Sequence, residues 1–184
     1  MKRGGAVADT IQEKWIKGVV ITTTCLAVMT AIAAARGGAC SIKTQLLTGI
    51  ESSKWAYYQA KSIKQNLAET QKNAFEVEVL GAANIDQKAL YESKLKIATE
   101  EISRYDAEKN QIKKEAEDTA VLNKQVAKKG NFFSGSVVFF QIGIMLSSVS
   151  ALLKRKFMWI LGLFFGIIAT VLLGYGLFLQ PLIF

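Results

Sequence analysis

The chain has 184 residues, of which 51% are hydrophobic, and it carries a formal net charge of +8 with no histidine and two cysteines. The lack of histidine excludes Ser-His-Asp and Cys-His catalytic arrangements, and two cysteines are too few for a zinc site within one chain. The sequence also has no GxxxxGKS/T phosphate-binding loop, so we expect no enzymatic activity, no catalytic residue, no cofactor and no metal ion.

The basic residues are distributed unevenly along the chain. Residues 36–131 carry 16 basic and 13 acidic residues, whereas the remaining basic excess flanks apolar segments. Lys and Arg beside apolar segments are topology signals in membrane proteins. We therefore predict contact with membrane lipid and no binding of nucleic acid.

The first apolar segment follows a predicted N-terminal tail of residues 1–15. No charged residue occurs from Gly18 to Ala35, a length at the lower end of what crosses a bilayer. A cleaved signal peptide is the alternative, because basic residues precede the segment and AIAAA resembles a cleavage site. The long apolar stretch favours a retained transmembrane helix over residues 16–35.

Residues 36–131 have the pattern of a long helical domain. Between residues 41 and 129 there is no proline and one interior break, GAANID, whose Asp86 is a suitable N-cap. On both sides of the break, apolar and small residues recur at alternating three- and four-residue spacing, as in coiled coils. This pattern predicts an antiparallel helical hairpin.

The predicted seam of the hairpin takes one row of residues from each arm. The row of the first arm is Ile42, Leu46, Gly49, Ser53, Ala56, Ala60, Ile63, Leu67, Thr70, Ala74 and Val77. The row of the second arm is Tyr91, Leu95, Ala98, Ile102, Tyr105, Lys109, Ile112, Ala116, Thr119, Asn123 and Val126. Many of these side chains are small or polar and bury little area, so we expect further burial against copies of the chain or another protein.

An aromatic cluster formed by Trp55, Tyr57 and Tyr58 lies in the first arm. Trp55 and Tyr58 are three residues apart and share a helix face. In one interpretation the rings fill the hairpin seam, and in another they form a subunit contact, since Trp and Tyr favour buried anchors. Stacking on a ligand is a third interpretation.

Two further spans are predicted over residues 132–153 and 157–179, with a basic link of residues 154–156 between them and a tail of residues 180–184. So short a link requires antiparallel spans. Small residues recur every four positions in the last span, which lets helices approach closely in lipid. These residues are Gly162, Gly166, Thr170 and Gly174. They serve either packing within the chain or self-association.

Two stretches are distinctive, namely WAYYQAKSIK in the first arm and NFFSGSVVFFQIGIMLSSVSALL in the second span, and a glycine-rich last span follows them. In these features the chain resembles a family of uncharacterised bacterial membrane proteins that is known as a domain of unknown function. Its members share an N-terminal span, a charged helical middle with a WxYYQAKS-like stretch, and a C-terminal pair of spans with an FQI-like start. The resemblance implies a bacterial membrane location and transfers no catalytic residues.

We expect an all-α membrane protein with three transmembrane helices and a long, coiled-coil-like antiparallel hairpin between the first and second. The first functional hypothesis is a structural or assembly protein that forms a homo-oligomer or acts as an accessory subunit of a larger membrane complex. The alternative is an oligomeric channel, conduit or export-type adaptor. Short basic loops favour the cytoplasm, so the hairpin is expected on the extracytoplasmic side of the bacterial inner membrane.

Overall fold

The described part of the chain folds into three helices. The computed structural model describes the backbone of residues 3–82 and 84–178, and the side chains of residues 15–82 and 84–178. Helix α1 is Arg3–Gly81, α2 is Ile85–Leu153 and α3 is Lys156–Phe178. The described part of the chain contains no strand, which confirms the predicted all-α class.

Each helix contains a stretch that is long and apolar enough to cross a membrane. The predicted spans 16–35 and 132–153 are parts of α1 and α2 and not separate helices, because neither helix breaks where its apolar stretch meets the charged part. The third span is α3 itself, while Leu179 and the predicted tail 180–184 lie outside the described residues. The backbone of the predicted N-terminal tail is helical from Arg3 onward, and its side chains before Trp15 lie outside the described part.

The residues group into two compact units. The membrane unit comprises residues 1–44 and 124–184, and the hairpin unit comprises residues 45–123. The membrane unit has 12 basic and 2 acidic residues, whereas the hairpin unit has 11 basic and 13 acidic residues. The positive charge of the chain therefore belongs to the membrane unit.

Aromatic rings and small residues fill the centre of the membrane unit. Phe133 and Phe140 of α2 are fully buried, and they cluster with Ala33 of α1 and with Ala169 and Leu173 of α3. All three helices thus contribute to one core. Because lipid provides no hydrophobic driving force between helices, the fit of large rings against small residues holds them together through van der Waals contact.

The two arms of the hairpin unit run antiparallel. Thr48 Oγ1 of α1 accepts a hydrogen bond from Asn123 of α2 at 2.9 Å, and Lys94 Nζ of α2 lies 5.6 Å from the ring centre of Phe75. Residues later in α1 therefore meet residues earlier in α2, which is the arrangement predicted from the short break.

The turn between the arms differs in one detail from the prediction. Helix α1 ends at Gly81 and α2 begins at Ile85, so Asp86 lies in the first turn of α2 and not at the predicted N-cap. Asn84 precedes the helix, and its carbonyl accepts the Lys88 N–H at 3.1 Å. Asn caps a helix as well as Asp does, and a carboxylate in the first turn interacts favourably with the helix dipole.

The basic link between α2 and α3 contains a residue in the left-handed conformation. Lys154 has a φ of 55°, and the Arg155 N–H donates to the Ser150 carbonyl at 3.2 Å. The Ser150 hydroxyl donates to the Arg155 carbonyl at 2.8 Å. These hydrogen bonds reverse the chain direction at the end of α2, at a conformational cost to a lysine that glycine would avoid.

Candidate functional site

The hairpin seam takes ten residues from each arm. The residues of α1, here called the inner row, are all buried or half-buried: Leu47, Glu51, Lys54, Tyr58, Lys61, Gln65, Ala68, Lys72, Phe75 and Val79. The residues of α2 are Tyr91, Leu95, Ala98, Ile102, Tyr105, Lys109, Ile112, Ala116, Thr119 and Asn123. This second set, likewise buried or half-buried, comprises ten of the eleven residues predicted for the second arm and confirms that row. The eleventh, Val126, is buried in the membrane unit.

The row predicted for the first arm lies on a different face, so that prediction was wrong. Its members from Leu46 to Val77, here called the outer stripe, are all exposed: Leu46, Gly49, Ser53, Ala56, Ala60, Ile63, Leu67, Thr70, Ala74 and Val77. The side chain of Ile63 is 69% exposed and that of Val77 is 70% exposed. Around the helix axis the outer stripe lies roughly 150° from the inner row. Ile42, the remaining predicted member, is 70% exposed as well.

Complementary charge explains which face of α1 turns toward α2. Lys54 and Lys61 stand seven residues apart in the inner row and form ion pairs with Glu115 and Glu108, which stand seven residues apart on α2. The outer stripe has no charged side chain to offer either glutamate. Counting apolar and small residues alone favours the outer stripe, whereas the matched spacing of lysines and glutamates was a signal in the sequence that identifies the inner row.

Three seam lysines, Lys54, Lys61 and Lys109, have polar partners on the opposite arm. Lys54 Nζ donates to Thr119 Oγ1 and to the Glu115 carbonyl, both at 3.2 Å. Lys109 Nζ donates to Gln65 Oε1 at 2.8 Å. These contacts satisfy ammonium groups at positions where a coiled coil commonly has apolar residues. Near the surface such contacts add little stability, so their main effect is to select one register of the two arms.

Lys61 lies between two aromatic rings and a carboxylate. Its Nζ is 5.4 Å from the ring centres of both Tyr57 and Tyr105, and it pairs with Glu108. Its side chain is 15% exposed, compared with 36% for Glu108. The hydrogen bond between them raises the pKa of the Lys61 ammonium and lowers the pKa of the Glu108 carboxyl, in each case against the effect of desolvation.

The three residues of the predicted aromatic cluster are divided between two faces of α1. Tyr58 belongs to the inner row, and Trp55 packs edge-on against it with ring centres 5.7 Å apart. Tyr57 is 54% exposed and follows Ala56 of the outer stripe. Trp55 and Tyr58 therefore add to the hairpin seam, while Tyr57 borders the exposed face.

The hairpin seam buries little apolar surface. The buried apolar residues of the hairpin unit are Leu47, Ala68, Ala98, Ile112 and Ala116. Full burial of a Leu or Ile side chain contributes roughly 1.5–3 kcal/mol, and an alanine contributes much less. The outer stripe exposes four large aliphatic residues, twice as many as the two that the seam buries.

The outer face of α2 has a different character from the outer stripe. Its positions at the same angle from the seam are exposed and include four charged residues: Ala89, Ser93, Lys96, Glu100, Ser103, Ala107, Asn110, Lys114, Glu117 and Val121. Charged side chains on an exposed helix face are well solvated by water. The outer stripe is therefore the less polar of the two outer faces. An open groove follows its first turns, lined by Gln45, Leu46, Gly49, Ile50, Ser53 and Lys54.

Some charged groups of the hairpin unit pair across its seam, and others are exposed on its outer faces. Among the described residues, no group of three or more His, Cys, Asp or Glu side chains could hold a metal ion. Glu108 and Glu115 face lysines, and Glu117 and Asp118 are exposed on α2. The seam supplies hydrogen bonds and ion pairs across the hairpin.

The small residues at every fourth position of α3, here called the ridge, have two different environments. Gly162 and Gly166 are buried, whereas Thr170 and Gly174 are exposed. Each four-residue step advances by about 40° around a helix, so a ridge of four members turns away from any packed face. The buried face of α3 alternates four- and three-residue steps instead: Gly162, Gly166, Ala169, Leu173 and Gly176.

The two buried glycines contact the other spans of the same chain. A Cβ on Gly162 would lie 2.7 Å from Ser147 Oγ and 2.8 Å from the Gly143 carbonyl oxygen of α2. A Cβ on Gly166 would lie 2.8 Å from a methyl carbon of Leu26 in α1. All three distances are shorter than real Cβ contacts, so Gly162 and Gly166 serve packing within the chain.

Replacing Gly162 and Gly166 together with Leu should destabilise the membrane unit, because a side chain on Gly162 would collide with the backbone of α2 and one on Gly166 would displace the Leu26 side chain. Overpacking typically costs about 1–3 kcal/mol at each site. The measurement is the fraction of full-length protein that stays monodisperse in detergent after heating. Gly174→Leu is the control, since a Cβ there meets nothing within 4 Å. A double variant as heat-resistant as the control would contradict the packing described.

Glu108→Gln should weaken the hairpin near neutral pH. The pKa of the Glu108 carboxyl is lowered from its ordinary value of 4.5, so the stabilisation is present above that pH and is lost as the pH falls through the lowered pKa. The pKa of Lys61 is raised from its ordinary value of 10.5, so the ammonium stays charged throughout the pH range of the experiment. Thermal melts of the full chain by circular dichroism should show a lower midpoint for the variant near pH 7, because the native Glu108 carboxyl is ionised there and pairs with Lys61.

The difference between Glu108→Gln and the unmodified chain should disappear in acid, where the native carboxyl is itself neutral. Glu117→Gln, which removes an exposed carboxylate from the same helix, is the matched control and should leave the midpoint unchanged at both pH values. Equal midpoints for the two variants near neutral pH would show that the Lys61–Glu108 pair does not hold the seam.

Residues 15–179 match the family model described as a domain of unknown function, DUF4337. The match includes the three apolar stretches and the whole hairpin unit. No curated protein and no solved structure matches the chain. The resemblance to a domain of unknown function is thereby confirmed, and the chain belongs to the DUF4337 family.

Proposed function

We propose that the protein is a non-enzymatic assembly protein of the bacterial inner membrane, which anchors itself by three spans and acts through its helical hairpin. In this role it forms a homo-oligomer or serves as an accessory subunit of a larger membrane complex. The observation that carries the proposal is the outer stripe, ten consecutive heptad positions that are all exposed and all uncharged.

The surroundings of the outer stripe support a contact with protein and not with lipid tails. Charged residues occur on the same helix throughout its length, among them Lys61, Lys64, Glu69, Lys72 and Glu76. At about 1.5 Å per residue the stripe extends over roughly 45 Å. The stripe presents Leu46, Ile63, Leu67 and Val77 among small, uncharged residues. Soluble proteins rarely expose apolar patches larger than a few hundred Å², and larger ones usually mark interaction sites.

We propose further that the hairpin unit is extracytoplasmic. Three membrane-crossing helices would put the link 154–156 and the hairpin unit on opposite sides of the membrane. The link is short and wholly basic, and short basic loops are retained in the cytoplasm, whereas long segments cross largely regardless of their charge. Arg36, Lys43 and the lysines at 124, 128 and 129 flank the spans on the hairpin side, where they adjoin a long segment whose charge has less influence on orientation.

Orientation is testable with single cysteines in a chain whose Cys25 and Cys40 are replaced with Ala. A cysteine at Asn84 should react with a membrane-impermeant maleimide in intact spheroplasts, because Asn84 is exposed at the turn of the hairpin. A cysteine at Arg155 in the link should react only after permeabilisation. The reverse labelling pattern would place the hairpin in the cytoplasm.

Assembly is testable by the mass of the native particle, purified in a lipid nanodisc. We expect the unmodified chain to occur in a particle with more than one protein subunit. Changing Ile63 and Leu67 of the outer stripe to Glu should shift the particle toward the single chain by at least about tenfold, because carboxylates cannot be buried there without partners.

The control for this change is Leu90→Glu with Ile97→Glu on α2. These two residues are 54% and 56% exposed, close to the 58% of Leu67, so the substitutions are matched in chemistry and accessibility. The control should keep the native mass. A single chain without partners in the unmodified preparation would contradict the assembly role, and solute flux through liposomes that contain the purified protein would favour a conduit.

A further inference from the structure

The outer stripe has the periodicity of a second helix-pairing surface. Its ten positions alternate three- and four-residue steps from Leu46 to Val77, as do the ten positions of the inner row. Residues at this spacing form a continuous line on a helix that winds around a partner. The inner row uses its line to pair with α2, and the outer stripe offers an equivalent line on the far side of α1.

We infer that the outer stripe pairs with the outer stripe of a second copy of this chain, with the two α1 arms parallel and in register. The inference rests on the proposed assembly role and names its partner. Both copies are anchored in one membrane by the same three spans, so their α1 arms leave the bilayer on the same side and in the same direction. Pairing about a two-fold axis then brings each residue of the stripe opposite its own counterpart.

The residues beside the outer stripe favour this pairing. On one flank every residue at heptad spacing is uncharged: Gln45, Ser52, Gln59, Asn66 and Asn73. On the other flank the corresponding residues are Ile50, Tyr57, Lys64, Gln71 and Glu78. In a parallel pair each residue of the first flank faces one of the second flank on the partner helix. No two like charges therefore meet anywhere along the contact.

Pairing with the outer face of α2 from a second copy is less favourable. That face carries Lys96, Glu100, Lys114 and Glu117, which would face the uncharged positions of the stripe. Burying a charged group without a partner is costly, whereas pairing of two outer stripes buries no charge within either row. Polarity thus selects α1 of the second copy as the occupant.

The size of the contact is sufficient for chains confined to a membrane. A strip roughly 45 Å long and about 10 Å wide on each copy gives on the order of 900 Å² for the pair, close to the lower bound of about 1,000 Å² for a specific interface. Anchoring in one bilayer raises the local concentration of the two arms, which reduces the contact area required. Gly49, Ala56 and Ala60 let the two backbones approach closely at the first half of the stripe.

Disulfide cross-linking of the full chain in native membrane vesicles tests the pairing. In the background without Cys25 and Cys40, single cysteines replace Ala56 or Ala60 of the outer stripe, or Ala107 on the outer face of α2 as the control. All three alanines are exposed and lie on helices, so the substitutions are matched. After oxidation with copper phenanthroline, we expect at least about tenfold more covalent dimer from Ala56→Cys and Ala60→Cys than from Ala107→Cys, since only in-register stripes bring Cα atoms within disulfide reach.

The mass of each unoxidised particle distinguishes a failure of the pairing from a failure of the assembly role. A particle with several copies but no cross-link at positions 56 and 60, or with an equal yield at position 107, would overturn the pairing and leave the assembly role standing. A complex that holds one copy of the chain among other subunits would overturn the pairing in the same way. A lone single chain would overturn the assembly role itself. Ala60→Glu, compared with Ala107→Glu, should abolish the dimer without the need for any cysteine.

Discussion

Lys54 and Lys61 reach across the hairpin to Glu115 and Glu108, and both sides of this pairing repeat at seven residues. Ion pairs near a surface add little net stability, yet a rotation of α1 that turned the outer stripe inward would break both pairs and leave Lys54 and Lys61 without their glutamates. The pairs therefore determine which face of α1 contacts α2. The outer stripe is left exposed because the polar inner row has ion-pair and hydrogen-bond partners on α2. The association proposed for the hairpin depends on this orientation of α1.

The two units are stabilised by different interactions, although α1 and α2 contribute to both. No acidic residue occurs between Lys14 and Ile50 or after Asp118, so the membrane unit is free of carboxylates across its apolar stretches. Its core depends on close packing, since a Cβ added at Gly37 or Gly176 would lie 3.4 or 3.0 Å from Phe133. The hairpin unit instead uses polar and aromatic partners for its lysines. One helix can take part in both kinds of packing, because each kind requires only that contact residues recur at alternating three- and four-residue steps.

The sequence predicts the spans, the position of the hairpin turn and the seam row of α2, because each depends on local composition or on a single periodic pattern. It does not predict the seam row of α1 from apolar spacing, since that arm holds two rows of the same period and the less polar one faces outward. The predicted ridge of α3 is buried only as far as Gly166, because each four-residue step advances by about 40° around the helix and Thr170 and Gly174 therefore face away from the packed side. Predicting the contact face of α1 or of α3 requires knowing which residues of another helix it meets. For α1 this was visible in the sequence, because Lys54 and Lys61 have the same spacing as Glu108 and Glu115.

A seam with so little apolar burial is consistent with a hairpin that is not required to be stable as an isolated monomer. Ordering the backbone costs roughly 1–2 kcal/mol per residue, and the seam buries two large aliphatic side chains among its apolar residues. Continuity of both arms with membrane spans removes part of that cost, because the ends of the hairpin are already fixed. A second heptad row then supplies burial that the first lacks, and an uncharged row can do so without the desolvation penalty that a polar row would carry. The division of α1 into a charged face that selects its register and an uncharged face left for association thus follows from what each face can bury.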